Sequence, residues 1–228
     1  MKLKIIVINK IIFLPDAVKK YLSPLFLCTC KKSSNKNKTD KPKVTEEVSL
    51  EGIKHPLQNT WSFWLFTNEK KNWEENLIEL TTFDTVEDYW CLYHHIKLPS
   101  ELSLGQDYAV FKKGIRPMWE DRANRNGGRW LISLDRKSMN MDRIWMYVVL
   151  LLIGENFEHS NAICGAVVNV RAKSKVGIWV ADKRNDSANL EIGRKLREQL
   201  QITGKINFHE HNSILITIVN RLSARVTD

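Results

Sequence analysis

GIRPMWEDRANRNGGRWLIS, residues 114–133, reads as a loop between two strand-like runs. Residues 108–111 precede it, and 129–134 follow the Gly127-Gly128 break. Trp119, Glu120 and Asp121 stand at its centre. Pro117, two residues before Trp119, fixes φ and removes a donor, which stiffens the loop. A stiff loop holding an indole beside a carboxylate suits a flat ligand with N–H donors. A positively charged ring suits it best, because a cation over an indole face gains roughly 0.5–2 kcal/mol. The plainer alternative packs Trp119 inward and leaves Glu120 solvated, since tryptophan is usually largely buried.

Outward from the loop, all eight tryptophans fall between Trp61 and Trp179, which marks the folded body. Residues 61–67 are rich in aromatics and read as a strand, followed by a polar loop, 68–73, that ends in Trp73. A second strand is expected over 77–83. Asp84-Thr85 reads as the cap of a helix over 86–96, with Glu87 and Asp88 in its first turn. Val86, Tyr89, Trp90 and Tyr93 recur at helical spacing and would be placed in the core. A nearly all-apolar helix is expected over 142–154, strands over 165–171 and 176–181, and a helix over 189–200 with Leu190, Ile192, Leu196 and Leu200 facing inward. Final strands are expected over 206–209 and 213–219. Several strands adjoin through short loops without a helix between them, which favours an α+β fold with helices on one face of a sheet.

Charge divides the chain. Residues 1–43 hold eleven lysines and two aspartates, whereas residues 44–228 hold 24 basic and 24 acidic side chains. The body is therefore no general polyanion binder, and any nucleic-acid recognition must be local. Residues 1–45 read as a disordered or weakly amphipathic basic leader, and 46–228 as the functional domain. The leader has no uninterrupted apolar run of membrane-spanning length and no small-residue cleavage site. Its basic stretch 31–43 fits a solvated linker, with a nuclear-import patch or non-specific contact with RNA phosphates as alternatives. Cys28, Cys30, Cys91 and Cys164 lack framework spacing and read as free thiols in a reducing compartment. No metal or cofactor site is expected: His94-His95 diverge on a helix, and His209 and His211 have no third ligand nearby in sequence. No glycine-rich phosphate loop or G-x-S-x-G nucleophile appears.

Three features lie on loops or loop edges. Trp73 ends one, Trp119-Glu120 sits in another, and Arg171, Lys173 and Lys175 flank a basic turn with Trp179 just beyond. If the sheet gathers these loops, two indoles can sandwich a base while a carboxylate accepts from the N1–H and N2–H edge of guanine. Stacking contributes roughly 1–3 kcal/mol per base. Methylation at N7 makes the base cationic, and the basic turn would hold attached phosphates.

HPLQNTWSFWLF, FDTVEDYWCLYHHI, GIRPMWED, GGRWLISL and CGAVVNVRAK, in this order, resemble the eukaryotic translation initiation factor 4E family, the messenger-RNA cap-binding proteins. The resemblance runs over about 55–200 and implies a curved antiparallel sheet with about three helices on its convex face. It implies a non-enzymatic protein, cytoplasmic with the nucleus as a second location, that binds 7-methylguanosine caps. Trp73 and Trp119 would sandwich the base, Glu120 would read its edge, and Trp179 would touch the methyl. Arg171 and Lys175 would hold phosphates, supported by Arg129 and Lys173. Trp90 would be exposed, contrary to its periodicity, and with His55, Pro56, Leu57, Val86, Tyr147 and Leu150 would form a dorsal surface. That surface would receive a scaffold protein or inhibitory binding proteins carrying a Tyr-x-x-x-x-Leu-hydrophobic motif. Tyr147 stands where the family usually has an acid, and the end of the chain lacks the family's serine/threonine- and lysine-rich loop. The alternatives are a cap-binding repressor with weakened scaffold binding and a paralogue that binds no cap. More remote is an enzyme acting on cap nucleotides through Glu120 and Asp121.

Overall fold

The structure, a computed structural model, describes residues 54–134, 141–202 and 204–211. The leader, Cys28, Cys30 and the strand expected over 213–219 lie outside these residues. Two compact units are present, one containing residues 54–57 and Phe83–Lys97 and the other 58–82 and the described residues from Leu98 onward.

Seven strands build one curved antiparallel sheet: β1 (Pro56–Phe66), β2 (Leu77–Thr85), β3 (Asp107–Lys112), β4 (Gly128–Ser133), β5 (Ile163–Asn169), β6 (Lys175–Val180) and β7 (Asn207–Glu210). Their order across the sheet is β2-β1-β3-β5-β6-β4-β7. Three helices accompany it: α1 (Val86–His95), α2 (Met141–Ile153) and α3 (Asp186–Gln199). None among the described residues is long and apolar enough to cross a membrane.

The central strands are buried on both faces. In β1, Trp61, Phe63 and Leu65 fill one side and Ser62 and Trp64 the other; β3 is buried from Asp107 to Phe111. Register then decides which side chains share a face, since strand side chains alternate. Phe66 pairs with Asp107, Asp107 with Asn169 and Asn169 with Lys175; Trp64 pairs with Ala109, Ala109 with Val167, and Val167 with Gly177. Trp179 pairs with Arg129. One face of the sheet therefore gathers Phe66, Asp107, Ala109, Val167, Asn169, Trp179 and Arg129.

In the first unit, the Thr85 hydroxyl accepts from the Asp88 N–H at 3.2 Å and caps α1. Lys54 Nζ donates to Asp88 at 2.9 Å, and the His55 backbone N–H donates to Glu87 at 3.0 Å. The contact between His55 Nδ1 and Glu87, first among its causes, pulls the Glu87 carboxyl down to about 2. The apolar stripe reads differently in space: Tyr89 and Leu92 are buried, Val86 is exposed and Trp90 is half-buried. Trp90 packs against Tyr89, Tyr93 and His94 with ring centroids 5.3–6.0 Å apart, so aromatic neighbours cover only part of the indole. The core placement suggested by periodicity is corrected on that ground.

In the second unit, α2 buries Ile144, Trp145, Val148, Val149, Leu151 and Leu152 and packs on β5. Tyr147 remains exposed beneath the Arg143 guanidinium, 5.2 Å from its ring centroid. Helix α3 starts three residues before the expected position because the Asn185 side chain accepts from the Ala188 N–H at 3.1 Å. Leu190, expected inward, is 59 % exposed. The inward face runs through Ala188, Asn189, Ile192, Gly193 and Leu196. The Trp130 indole packs against Gly193 and donates to the Asn189 carbonyl at 3.0 Å. This locks the helix to the face of β4 opposite Arg129 and rotates Leu190 away.

Candidate functional site

The face that carries Trp179 and Arg129 opens into a cavity of about 300 Å³. Its walls include Trp73, Trp119, Trp179, Asp107, Arg129 and Arg171. Trp73 and Trp119 come from separate loops and are 44 % and 42 % exposed, unusual for so large an apolar side chain. The structure therefore brings together the indoles singled out in the sequence, and Trp119 does not pack inward.

Each tryptophan loop is tied by a buried asparagine. In the first, Asn76 Oδ1 accepts from the Glu69 and Lys70 N–H groups at 3.1 and 2.8 Å and from the Thr67 hydroxyl at 3.1 Å. Its Nδ2 donates to the Lys70 and Asn72 carbonyls at 2.8 and 3.1 Å. Trp73 leads into the short 3₁₀ turn Glu74–Asn76, and its ring leans on Phe66 at 5.7 Å. In the second loop, Asn124 Nδ2 donates to the Arg116 and Met118 carbonyls at 2.8 and 2.9 Å. The Asp121 carboxylate accepts from the Arg116 and Ala123 N–H groups at 3.0 and 2.9 Å. Pro117, buried between these anchors, lines the cavity. Asp121 is thus spent on its own backbone and does not converge with Glu120. Glu120 is exposed beside Trp119, and its side chain is not among the cavity walls.

Trp179 forms the floor and is almost fully buried. Phe111 meets it edge-on at 5.5 Å, Arg129 lies 5.9 Å from its centroid, and the His211 ring lies 4.1 Å away at 40°. Gly165, opposite Trp179 in the β5–β6 register, makes room for this arrangement, since a Cβ there would run into the Phe111 ring and the Val110 carbonyl. Burial, with help from the Arg129 charge, holds the His211 imidazole down at about 4. Burial also lowers the Arg129 pKa.

Beyond Arg129, Asn169 and Arg171, which it shares with the first cavity, a second space of about 640 Å³ opens. Lys173 and Lys175, both exposed, line it with Leu131 and Ala172. The Ser174 hydroxyl fixes the basic turn by donating to the Arg171 carbonyl at 3.1 Å and accepting from the Arg171 N–H at 3.3 Å. Of the residues expected on a dorsal surface, His55, Pro56 and Val86 are exposed and Leu57 and Trp90 half-buried in the first unit. In the second, Tyr147 is exposed and Leu150 half-buried. Cys91 and Cys164 are free thiols. Among the described residues no cluster of three His, Cys, Asp or Glu is placed to hold a metal.

Sequence reasoning missed Asn76, Asn124 and Asp107. An asparagine in a polar loop reads as ordinary turn chemistry, and Asp107 gains meaning only from its pairing across β3 and β5.

The family model described as "Eukaryotic initiation factor 4E" matches residues 56–220. The chain belongs to this family. Eukaryotic translation initiation factor 4E1 of Drosophila melanogaster is 48% identical over 190 residues, covering 81% of this chain and 73% of that relative. The Ascaris suum eIF4E-3 structure, solved in complex with an m2,2,7G cap, shares 43% identity at a TM-score of 0.68 and covers 71% of this chain and 93% of its own. Caenorhabditis elegans eIF4E-3 ("C. elegans"), solved with the 4E-binding protein Mextli and a cap analog, shares 41% identity at a TM-score of 0.68, with 72% and 96% covered. As a member of the initiation factor 4E family, the chain falls in a group of translation initiation factors.

Proposed function

We propose that this initiation factor 4E family member binds the 7-methylguanosine end of messenger RNA between Trp73 and Trp119 and passes the message to a scaffold protein. The observation that carries this reading is the cavity in which two half-exposed indoles from separate, tied loops face a third indole and two arginines. A flat cationic base suits that wall, because each indole adds a cation–π contribution to stacking. Glu120, next to Trp119, supplies the carboxylate for the guanine N1–H and N2–H edge, which a ligand must draw toward it. Arg171, Lys175, Lys173 and Arg129 hold the phosphates as charge-assisted donors.

The protein acts by binding and performs no chemistry. Asp121 accepts from two backbone N–H groups, which keeps this neighbouring carboxylate from working as a pair with Glu120. Retention on 7-methyl-GTP resin tests the reading: the full chain is expected to be held, and Trp119→Ala and Trp73→Ala to flow through while still folded. Retention of both variants would contradict it.

A second reading, a cap-binding repressor with weak scaffold contact, is favoured by one feature. Tyr147 offers the partner an aromatic ring capped by Arg143 where a carboxylate would serve. A peptide carrying the Tyr-x-x-x-x-Leu-hydrophobic motif separates the two, since tight binding by the unaltered chain would exclude the repressor.

A further inference from the structure

Arg171 is held before any ligand arrives. Its Nη1 donates to Asp107 Oδ1 at 2.6 Å and to the Val170 carbonyl at 2.8 Å, and its Nη2 donates to Asp107 Oδ2 at 3.0 Å. A guanidinium has five N–H groups in a rigid fork. Three are therefore occupied, and among the described residues the Nε–H and the second Nη2–H meet no acceptor. These two lie side by side on one edge, the geometry that takes a phosphate bidentately.

Asp107 is in turn fixed. It accepts from Asn169 Nδ2 at 2.9 Å and from the Val170 N–H at 3.2 Å, and Asn169 is its cross-strand partner. Buried at the cavity wall, it belongs to neither the indole set nor the basic set. A carboxylate beside the phosphate wall of an anion site demands a reason, since it repels the ligand.

We propose that Asp107 is a positioning residue that aligns Arg171, giving up net charge so that the open edge of the guanidinium stays set for the cap phosphates. The inference rests on the cap reading of this cavity and adds what sets its phosphate wall. The Asp107–Arg171 pair is neutral as a unit. The phosphate thus meets two oriented donors from Arg171 and draws its Coulomb attraction from Lys173, Lys175 and Arg129. Removing Asp107 has opposite consequences under the two possible roles. If the carboxylate only repels, its loss tightens phosphate binding. If it aligns Arg171, the freed side chain swings over many rotamers and the phosphate contribution falls.

The test compares affinities for 7-methylguanosine and 7-methyl-GTP on the full chain; their ratio isolates the phosphates. Asp107→Ala is expected to lower that ratio about tenfold, the scale of one charge-assisted hydrogen bond. Its nucleoside affinity should fall less than its 7-methyl-GTP affinity, and its melting temperature should drop because the Asn169 amide loses its acceptor and the Val170 N–H one of its two. Asp107→Asn, which keeps the volume but turns an NH₂ toward the Arg171, Asn169 or Val170 donors, is expected to move the ratio the same way. On an Arg171→Ala background either change should leave the ratio where Arg171→Ala alone puts it, a coupling that a general packing role would not produce. An unchanged or raised ratio in both Asp107 variants, with Arg171→Ala lowering it, would overturn the role of Asp107 and leave the cap reading intact. A ratio insensitive to Arg171→Ala would overturn both.

Discussion

Asn124 is fully buried in the loop that carries Trp119 and holds two of its carbonyls. Asn124→Ala takes one donor from each of the Arg116 and Met118 carbonyls, which keep the Met118 and Asp121 N–H groups, at a cost of roughly 0.5–1.5 kcal/mol for each bond lost. Thermal melting should show that loss, and 7-methyl-GTP affinity should drop by about tenfold or more as Trp119 loses its fixed position. His211 gives a pH signature. Its folded value of about 4 lies below its ordinary 6.5, so the fold favours the neutral ring. Stability is complete above pH 6.5 and declines as pH falls toward 4, where the buried ring must take up a proton beside Arg129. An NMR titration should place the His211 midpoint near 4, and a midpoint near 6.5 would contradict its packing on Trp179. At this scale the ring chemistry was legible: tryptophans in polar loops stand out by type. The asparagines that hold those loops were not, because their partners are backbone groups that no sequence pattern marks.

Helix α2 shows how an element-level pattern conceals one exposed position. Its run is apolar nearly all round, yet Tyr147 stays outside under Arg143. Tyr147→Glu would place a carboxylate there, in reach of the Arg143 it now stacks with. Affinity for a Tyr-x-x-x-x-Leu-hydrophobic peptide is expected to rise about tenfold, the scale of a charge-assisted contact, as read by peptide fluorescence anisotropy. No change would remove Tyr147 from the partner surface. Strand and helix identities were legible because the central strands are buried on both faces and α1 has a real cap in Thr85. Facing was less so. Leu190 matched the apolar period of α3, but Asn189 and Gly193 seat the Trp130 ring and set the rotation of the helix. Trp90 matched the period of α1, but its neighbours are aromatic rings that cover it only in part.

For the molecule as a whole, the balance of 24 basic and 24 acidic side chains over residues 44–228 means that no broad field draws nucleic acid to the body. Recognition therefore has to come from the slot, with phosphates adding to it through a few oriented cations. The sheet explains why residues spread from Trp73 to Trp179 meet: the order β3-β5-β6-β4 and its register put Asp107, Asn169, Trp179 and Arg129 on one face. That convergence was beyond sequence spacing alone, which supplies alternation along a strand but not which strands are neighbours; the family resemblance supplied the gathering of the loops, and the strand order came only with the structure. The most direct measurement is tryptophan fluorescence during titration with 7-methyl-GTP, with unmethylated GTP as control. The indole slot predicts strong quenching by the methylated nucleotide and binding of GTP at least ~10-fold weaker, the scale of the lost cation–π contribution. Equal quenching by both, or none by either, would contradict it.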